Sequence, residues 1–190
     1  IDPIQLEGTE LLAEVEKSPK SKYLLLSSVR ELIVAQAKTT EGVAHLKPFF
    51  QPLSDLLSSH TKSEEEGIRN IVAECWGKLA LTSPNEVFAV FVQRAADSNV
   101  HTRATVVAAL KYAITSDATA HPEIDILLSQ HIGKFFDLLK DSDTSVRHAT
   151  LLSFNYLSSH RPALVRPVLS QYLPALYGET LQKPELITVV

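Results

Sequence analysis

The sequence contains no methionine, a single cysteine (Cys75) and six glycines in 190 residues, and only 7% of it is aromatic. One thiol cannot close an internal disulfide or build a cysteine-rich zinc site, so a reducing compartment is expected. The glycines are Gly8, Gly42, Gly67, Gly77, Gly133 and Gly178, and none lie closer than the ten positions between Gly67 and Gly77. Phosphate-cradling G-x-G-x-x-G loops, P-loops and G-x-S-x-G nucleophile elbows need tighter spacing and are excluded. A basic excess is missing too: 18 Lys+Arg against 22 Asp+Glu leave a net charge of −4, the wrong sign for gripping nucleic acid. No apolar run approaches the roughly 18 residues of a membrane span, and the N-terminus lacks a signal-peptide pattern. With an Ile1-Asp2-Pro3 opening and an apolar Glu185–Val190 ending, the sequence reads as a piece of a longer array.

What is present is a composition that buries a core: 45% hydrophobic, 21% charged. Scarce glycine beside abundant Leu, Ala, Ser and Val predicts an all-α chain with short loops. In Ile68–Leu79, the residues Ile68, Ile71, Val72, Cys75 and Leu79 fall at i, i+3, i+4, i+7 and i+11, one face of a helix. Ala73 and Trp76 add a second apolar flank, so this helix is expected to be covered on more than one side. Glu64, Glu65 and Glu66 precede it, where negative charge complements the helix dipole.

The register recurs. Arg69 aligns with Arg103 and Arg147, and Lys22 takes the corresponding place upstream; successive separations are 47, 34 and 44 residues. Such periods belong to solenoids of helix pairs. The partner helices are expected at 4–15, 46–58, 86–95, 124–139 and 162–177. Pro48 and Pro162 suit a first helical turn, whereas Pro52, Pro167 and Pro174 are expected to bend their helices. A bent outer helix followed by a straighter inner one is the HEAT arrangement. Asp97 and Asp141 stand six residues before Arg103 and Arg147, the spacing of the HEAT turn's Asp and Arg. The reading is an all-α HEAT-repeat solenoid, a right-handed stack of antiparallel helix pairs with four to five repeats. Its approximate units are 1–38, 43–82, 84–116, 121–160 and an incomplete 161–190.

Chemistry-bearing groups are scattered. The histidines are His45, His60, His101, His121, His131, His148 and His160; no two are within four positions, so no helical ligand pair exists and they read as surface or loop residues. Cys75 reads as core, Trp76 as packing between helices. Lys17, Lys20, Lys22 and Arg30 lack the aromatic ladder of a single-strand binder. Arg103 and Arg147 are expected to pair with acids in neighbouring turns and lock the stack. No carboxylate is tied by spacing to a second catalytic group. Neither a cofactor nor a metal, membrane or small-molecule substrate is indicated. Inner-helix polar positions Asn70, Glu74, Lys78 and Lys111 are plausible protein contacts on a concave surface.

Certain strings go beyond what helix physics requires: Lys22–Glu31, Glu65–Leu79 with its Arg-Asn-x-Val-Ala-Glu-Cys-x-Gly-Lys-Leu core, Ser153-Phe154-Asn155, Leu173–Thr180 and Glu185-Leu186-Ile187. In order and over nearly the whole chain, they resemble the cullin-associated, neddylation-dissociated (CAND) family, in the section shortly before its C-terminal end. The resemblance implies a non-catalytic scaffold that wraps an unneddylated cullin and its RING subunit in cytoplasm and nucleus. It also implies competition with the adaptor and exchange of adaptor–substrate-receptor modules. Thr39–Gly42 and Ser116–Pro122 differ from the family pattern. Two rivals remain: a HEAT scaffold of another class, such as a nuclear-transport receptor or phosphatase scaffold, and an α-helical enzyme with perturbed titratable groups in one pocket.

Overall fold

Proline sets the rhythm of the chain. Pro19, Pro84, Pro122 and Pro162 each stand at the start of a helix, where the missing N–H has no intrahelical partner to lose and φ is already helical. Side-chain caps define other starts: Thr39 Oγ1 accepts from Gly42 N at 3.0 Å, Asn99 Oδ1 from Thr102 N at 3.0 Å, and Asp143 Oδ1 from Ser145 N at 2.8 Å. The computed structural model describes residues 18–115 and 121–182. The helices are α1 (Pro19–Gln36), α2 (Thr40–Leu46), α3 (Phe50–His60), α4 (Glu66–Ala80), α5 (Pro84–Arg94), α6 (Val100–Ala113), α7 (Pro122–Phe136), α8 (Thr144–His160) and α9 (Pro162–Gln182). Single 3-10 turns follow α2 (Lys47–Phe49) and α7 (Asp137–Lys140). No strand occurs among the described residues. The expected helix at 4–15 lies outside them, as do 116–120 and the 185–190 ending.

The helices form two rows. Helices α1, α4, α6 and α8 pack side by side in chain order, and on their other side α5, α7 and α9 do the same, with α2–α3 preceding them in sequence. Outer helices α2–α3, α5 and α7 are each followed by an inner one, which is the HEAT pairing, and the chain is an all-α HEAT-repeat solenoid. Between the rows lies a continuous apolar seam. Ile68, Ile71, Val72, Cys75 and Leu79 are all at most 3% exposed, as their spacing predicts, and Ala73 and Trp76 on the second flank are equally closed.

Aromatic rings carry the seam from unit to unit. Trp76 meets Phe91 edge-on at 6.0 Å, Phe88 meets Phe135 at 6.3 Å, and Phe136 meets both Phe154 (4.3 Å) and Tyr172 (5.7 Å). The edge-to-face pairs among these, all but the tilted Phe136–Phe154, add about 1 kcal/mol each beyond the area they bury. Close approach also needs an absence of side chain. A Cβ on Gly77 would overlap Tyr112 Cβ and stand 2.7 Å from Ala109 O, so glycine lets α4 and α6 touch.

One expectation needs revision. Pro52 does not bend a helix interior, because α3 begins at Phe50 and Pro52 sits in its first turn, where no N–H is required. Helix α9 carries both Pro167 and Pro174 in its interior, as expected. Six of the histidines lie on helices and His121 is the N-cap of α7; all seven are exposed or half-buried.

Candidate protein-binding face

The face of the inner row turned away from the seam is built by one stripe from each helix. On α6, His101, Ala104, Ala108 and Lys111 follow a 3-4-3 spacing and so stack along one side. Helix α4 contributes Glu66, Arg69 and Asn70 to the same depression, and α8 contributes Ser145, His148, Ala149 and Leu152. Together they line an open groove of about 310 Å³ that crosses three successive inner helices. The small side chains of Ala104, Ala108 and Ala149 let its floor sink, while Lys111 and Asn70 stand among its polar walls. Leu152 is 40% exposed and offers the groove an apolar contact. The Lys111 ammonium also lies 4.8 Å from the centre of the Tyr112 ring.

Of the four polar positions singled out by sequence, the groove unites Asn70 and Lys111. Glu74 is engaged elsewhere: it accepts a hydrogen bond from Arg30 Nη1 at 3.1 Å, half-buried, and ties α1 to α4. The pair and the neighbouring Glu31 together raise the Arg30 pKa, the Glu31 hydrogen bond contributing most. Lys78, one turn further along α4, does not line the groove. The sequence reading missed His101, His148 and Leu152. Their signal was the polar-small-small-polar stripe of α6 and its counterpart on α8, which a search for charged residues alone passes over.

The turns at one end of the pairs are organised by arginine. Arg69 Nη1 donates to the carbonyls of Ser63 and Glu64 at 2.7 and 2.8 Å. Arg103 does the same to Asp97 and Ser98 at 2.9 and 3.1 Å, and Arg147 to Asp141 and Ser142 at 2.9 and 3.1 Å. The offset is six and five residues back each time. Arginine therefore meets the aspartate of its own turn through the backbone carbonyl. The carboxylate that Arg103 engages is Asp141 of the next turn, at 2.8 Å from Nε and 2.9 Å from Nη2. Asp97 instead accepts from Asn99 N and Arg94 Nη1. Burial pushes the Asp141 pKa upward, but the Arg103 hydrogen bonds and the Asp143 N–H outweigh it and hold the carboxyl below its ordinary value. Arg147 also donates from Nη2 to Thr144 Oγ1 at 2.9 Å.

Catalytic chemistry finds little purchase in these groups. Cys75 is fully buried, donates to Leu26 O at 3.4 Å, and has its pKa pushed up to about 12, chiefly by burial. Tyr172 is likewise raised to about 12, first by burial and then by Asp137, while donating to Gly133 O at 2.9 Å. Among the described residues, no cluster of three His, Cys, Asp or Glu side chains is placed to hold a metal, and no helix is long and apolar enough to cross a membrane.

The chain is 41% identical over 180 residues to the cullin-associated NEDD8-dissociated protein 1 of Dictyostelium discoideum, and 39% identical over 180 residues to that of Drosophila melanogaster. Each match takes in 95% of this chain. The chain belongs to the CAND family. It spans 14% of the length of those two relatives. A third CAND protein, from Emericella nidulans, is described as the C-terminal part of protein 1 and is 32% identical over 180 residues, covering 95% of this chain and 17% of that relative. That match puts the segment in the C-terminal part of the CAND array. No family model matches the chain.

Proposed function

We propose that this chain is a non-catalytic binding wall of a cullin regulator. It forms part of the surface by which the whole protein holds an unneddylated cullin and its RING subunit, in cytoplasm and nucleus. What carries the reading is the likeness over 95% of the chain to proteins named for cullin association and NEDD8 dissociation. The groove across α4, α6 and α8 supports it, since it offers a polar rim and a shallow apolar floor suited to another protein's surface. In the whole protein, the same grip promotes exchange of adaptor–substrate-receptor modules. Exchange needs no covalent step. When two partners strain one another in a ternary state, each weakens the other by the same factor and hastens its departure.

The test is binding of purified unneddylated cullin–RING complex to this chain, with the whole regulator as positive control and neddylated cullin in parallel. Saturable binding to the unmodified form, weakened by neddylation, is expected. If neither the chain nor the whole regulator binds, the proposed partner is wrong and only the scaffold remains.

A further inference from the structure

Arg69 and Arg103 hold their turns in the same way but differ in what their second edge meets. Both place Nη1 on a pair of backbone carbonyls six and five residues back. Arg103 then gives Nε and Nη2 to the Asp141 carboxylate of the next turn. The matching aspartate for Arg69 is Asp97, which accepts from Arg94 Nη1 and Asn99 N instead. Among the described residues, the Nε–Nη2 edge of Arg69 therefore holds no carboxylate, and Arg69 lines the inner groove. Lys111, the other permanent cation of the lining, lies 4.8 Å from the centre of the Tyr112 ring and makes no ion pair among the described residues. Other cations are neutralised within the chain, Arg30 by Glu74 and Arg161 by Asp125. The acid in the lining, Glu66, is exposed and pairs with neither Arg69 nor Lys111. Glu64 comes from the preceding loop and meets His101 at 3.4 Å. A chain of net charge −4 thus keeps two cations without acids in one depression.

We propose that this groove seats an acidic segment of the bound protein, with one carboxylate clamped on the Nε–Nη2 edge of Arg69 and a second beside Lys111. The inference rests on the reading of the groove as a binding wall and names the chemistry of what fills it. A carboxylate on Arg69 takes the place that Asp141 fills on Arg103, two parallel hydrogen bonds that fix orientation as well as adding attraction. By register with Arg103, Arg69 stands level with a point eight residues before Lys111, about 12 Å along α6. Between the two cations, Ala104 and Ala108 floor the groove and Leu152 borders it, so the segment carries an apolar residue between its acids. A basic segment is repelled by the same two charges.

Poly-L-glutamate is the probe, titrated into the chain at low ionic strength and followed by amide NMR with no cullin present. Saturable shifts confined to the groove stretches of α4, α6 and α8 are expected, against the repulsion of the chain's own net charge. Lys111→Glu should weaken binding about tenfold or more, whereas Lys134→Glu on outer helix α7, the same change in net charge, should weaken it less than about twofold. Arg69→Lys keeps the charge but loses the fork, and a several-fold loss is expected there too. All variants are compared in chains of unchanged helicity. No binding, shifts outside the groove, full binding by Lys111→Glu or Arg69→Lys, or equal losses in Lys111→Glu and Lys134→Glu overturn the proposal. Tighter binding of poly-uridylate RNA assigns the two cations to nucleic acid and overturns it as well. The cullin reading fails separately, when the cullin–RING complex does not bind, whatever poly-L-glutamate does.

Discussion

Arg103 and Asp141, 38 residues apart in sequence, share two parallel hydrogen bonds of 2.8 and 2.9 Å across the boundary between successive units. Their side chains are 16% and 9% exposed, so the pair is largely out of water. Removing one partner strands the other, which costs about 3 kcal/mol for a buried pair. Arg103→Ala and Asp141→Ala are each expected to lower unfolding stability on that order in urea titrations. The double variant should lose less than the sum of the two. Single losses below about 0.5 kcal/mol would show that the pair does not fasten the stack.

Acid should loosen the same turns. Asp97, Asp141 and Asp143 have carboxyl pKa values held below ordinary: Asp97 mainly by the Asn99 N–H, Asp143 by the Ser145 hydroxyl, and Asp141 by Arg103 against its burial. A depressed native pKa contributes stability that is present above the unfolded value of about 3.9 and disappears as pH falls through the native one. Stability is therefore expected to fall as pH drops below about 4, with a shallower fall in Asp141→Asn. Parallel pH profiles of the two chains, followed by circular dichroism, decide it.

Gly77 and Gly67 lie on the same helix and should respond in opposite directions to alanine. At Gly77 a methyl group meets Tyr112 and Ala109 O, and separating α4 from α6 is expected to cost about 2 kcal/mol or more. At Gly67 there is nothing within 4 Å, so alanine should stabilise by about 0.5–1 kcal/mol through helix propensity. Thermal melts of the two variants check both signs.

The Cys75 thiol, with its pKa near 12, should resist modification. At pH 8 its thiolate fraction alone predicts reaction about a thousandfold slower than a free cysteine of pKa 8.5. Labelling with a chromogenic disulfide should thus follow the opening of α4 from α1. Fast labelling in the folded chain would refute that burial.

Helix periods, the Pro162 start and the recurrent arginine were legible in the sequence because local physics writes them there. The Ile68–Leu79 stripe led directly to the buried face of α4. What was not legible depends on neighbours distant in sequence. Glu74 reads as a free surface acid until Arg30 is seen beside it. That Arg103 pairs with a neighbouring turn was expected, but which acid it takes, Asp141, 38 residues away, is named by the packing alone. His101 and His148 join Asn70 only when three helices align into one groove. Pro52 was misjudged because its effect depends on where α3 starts, and helix ends are set by contacts as well as by composition.

The most direct test of the account is calorimetric titration of the chain with unneddylated cullin–RING complex, comparing Lys111→Glu with the unaltered chain and with Gln171→Glu on outer helix α9. Reversing the charge in the groove wall is expected to weaken binding about tenfold or more, corresponding to about 1.4 kcal/mol, while the outer variant binds as before. Equal affinity for all three chains would contradict the assignment of the inner groove as the cullin-binding wall.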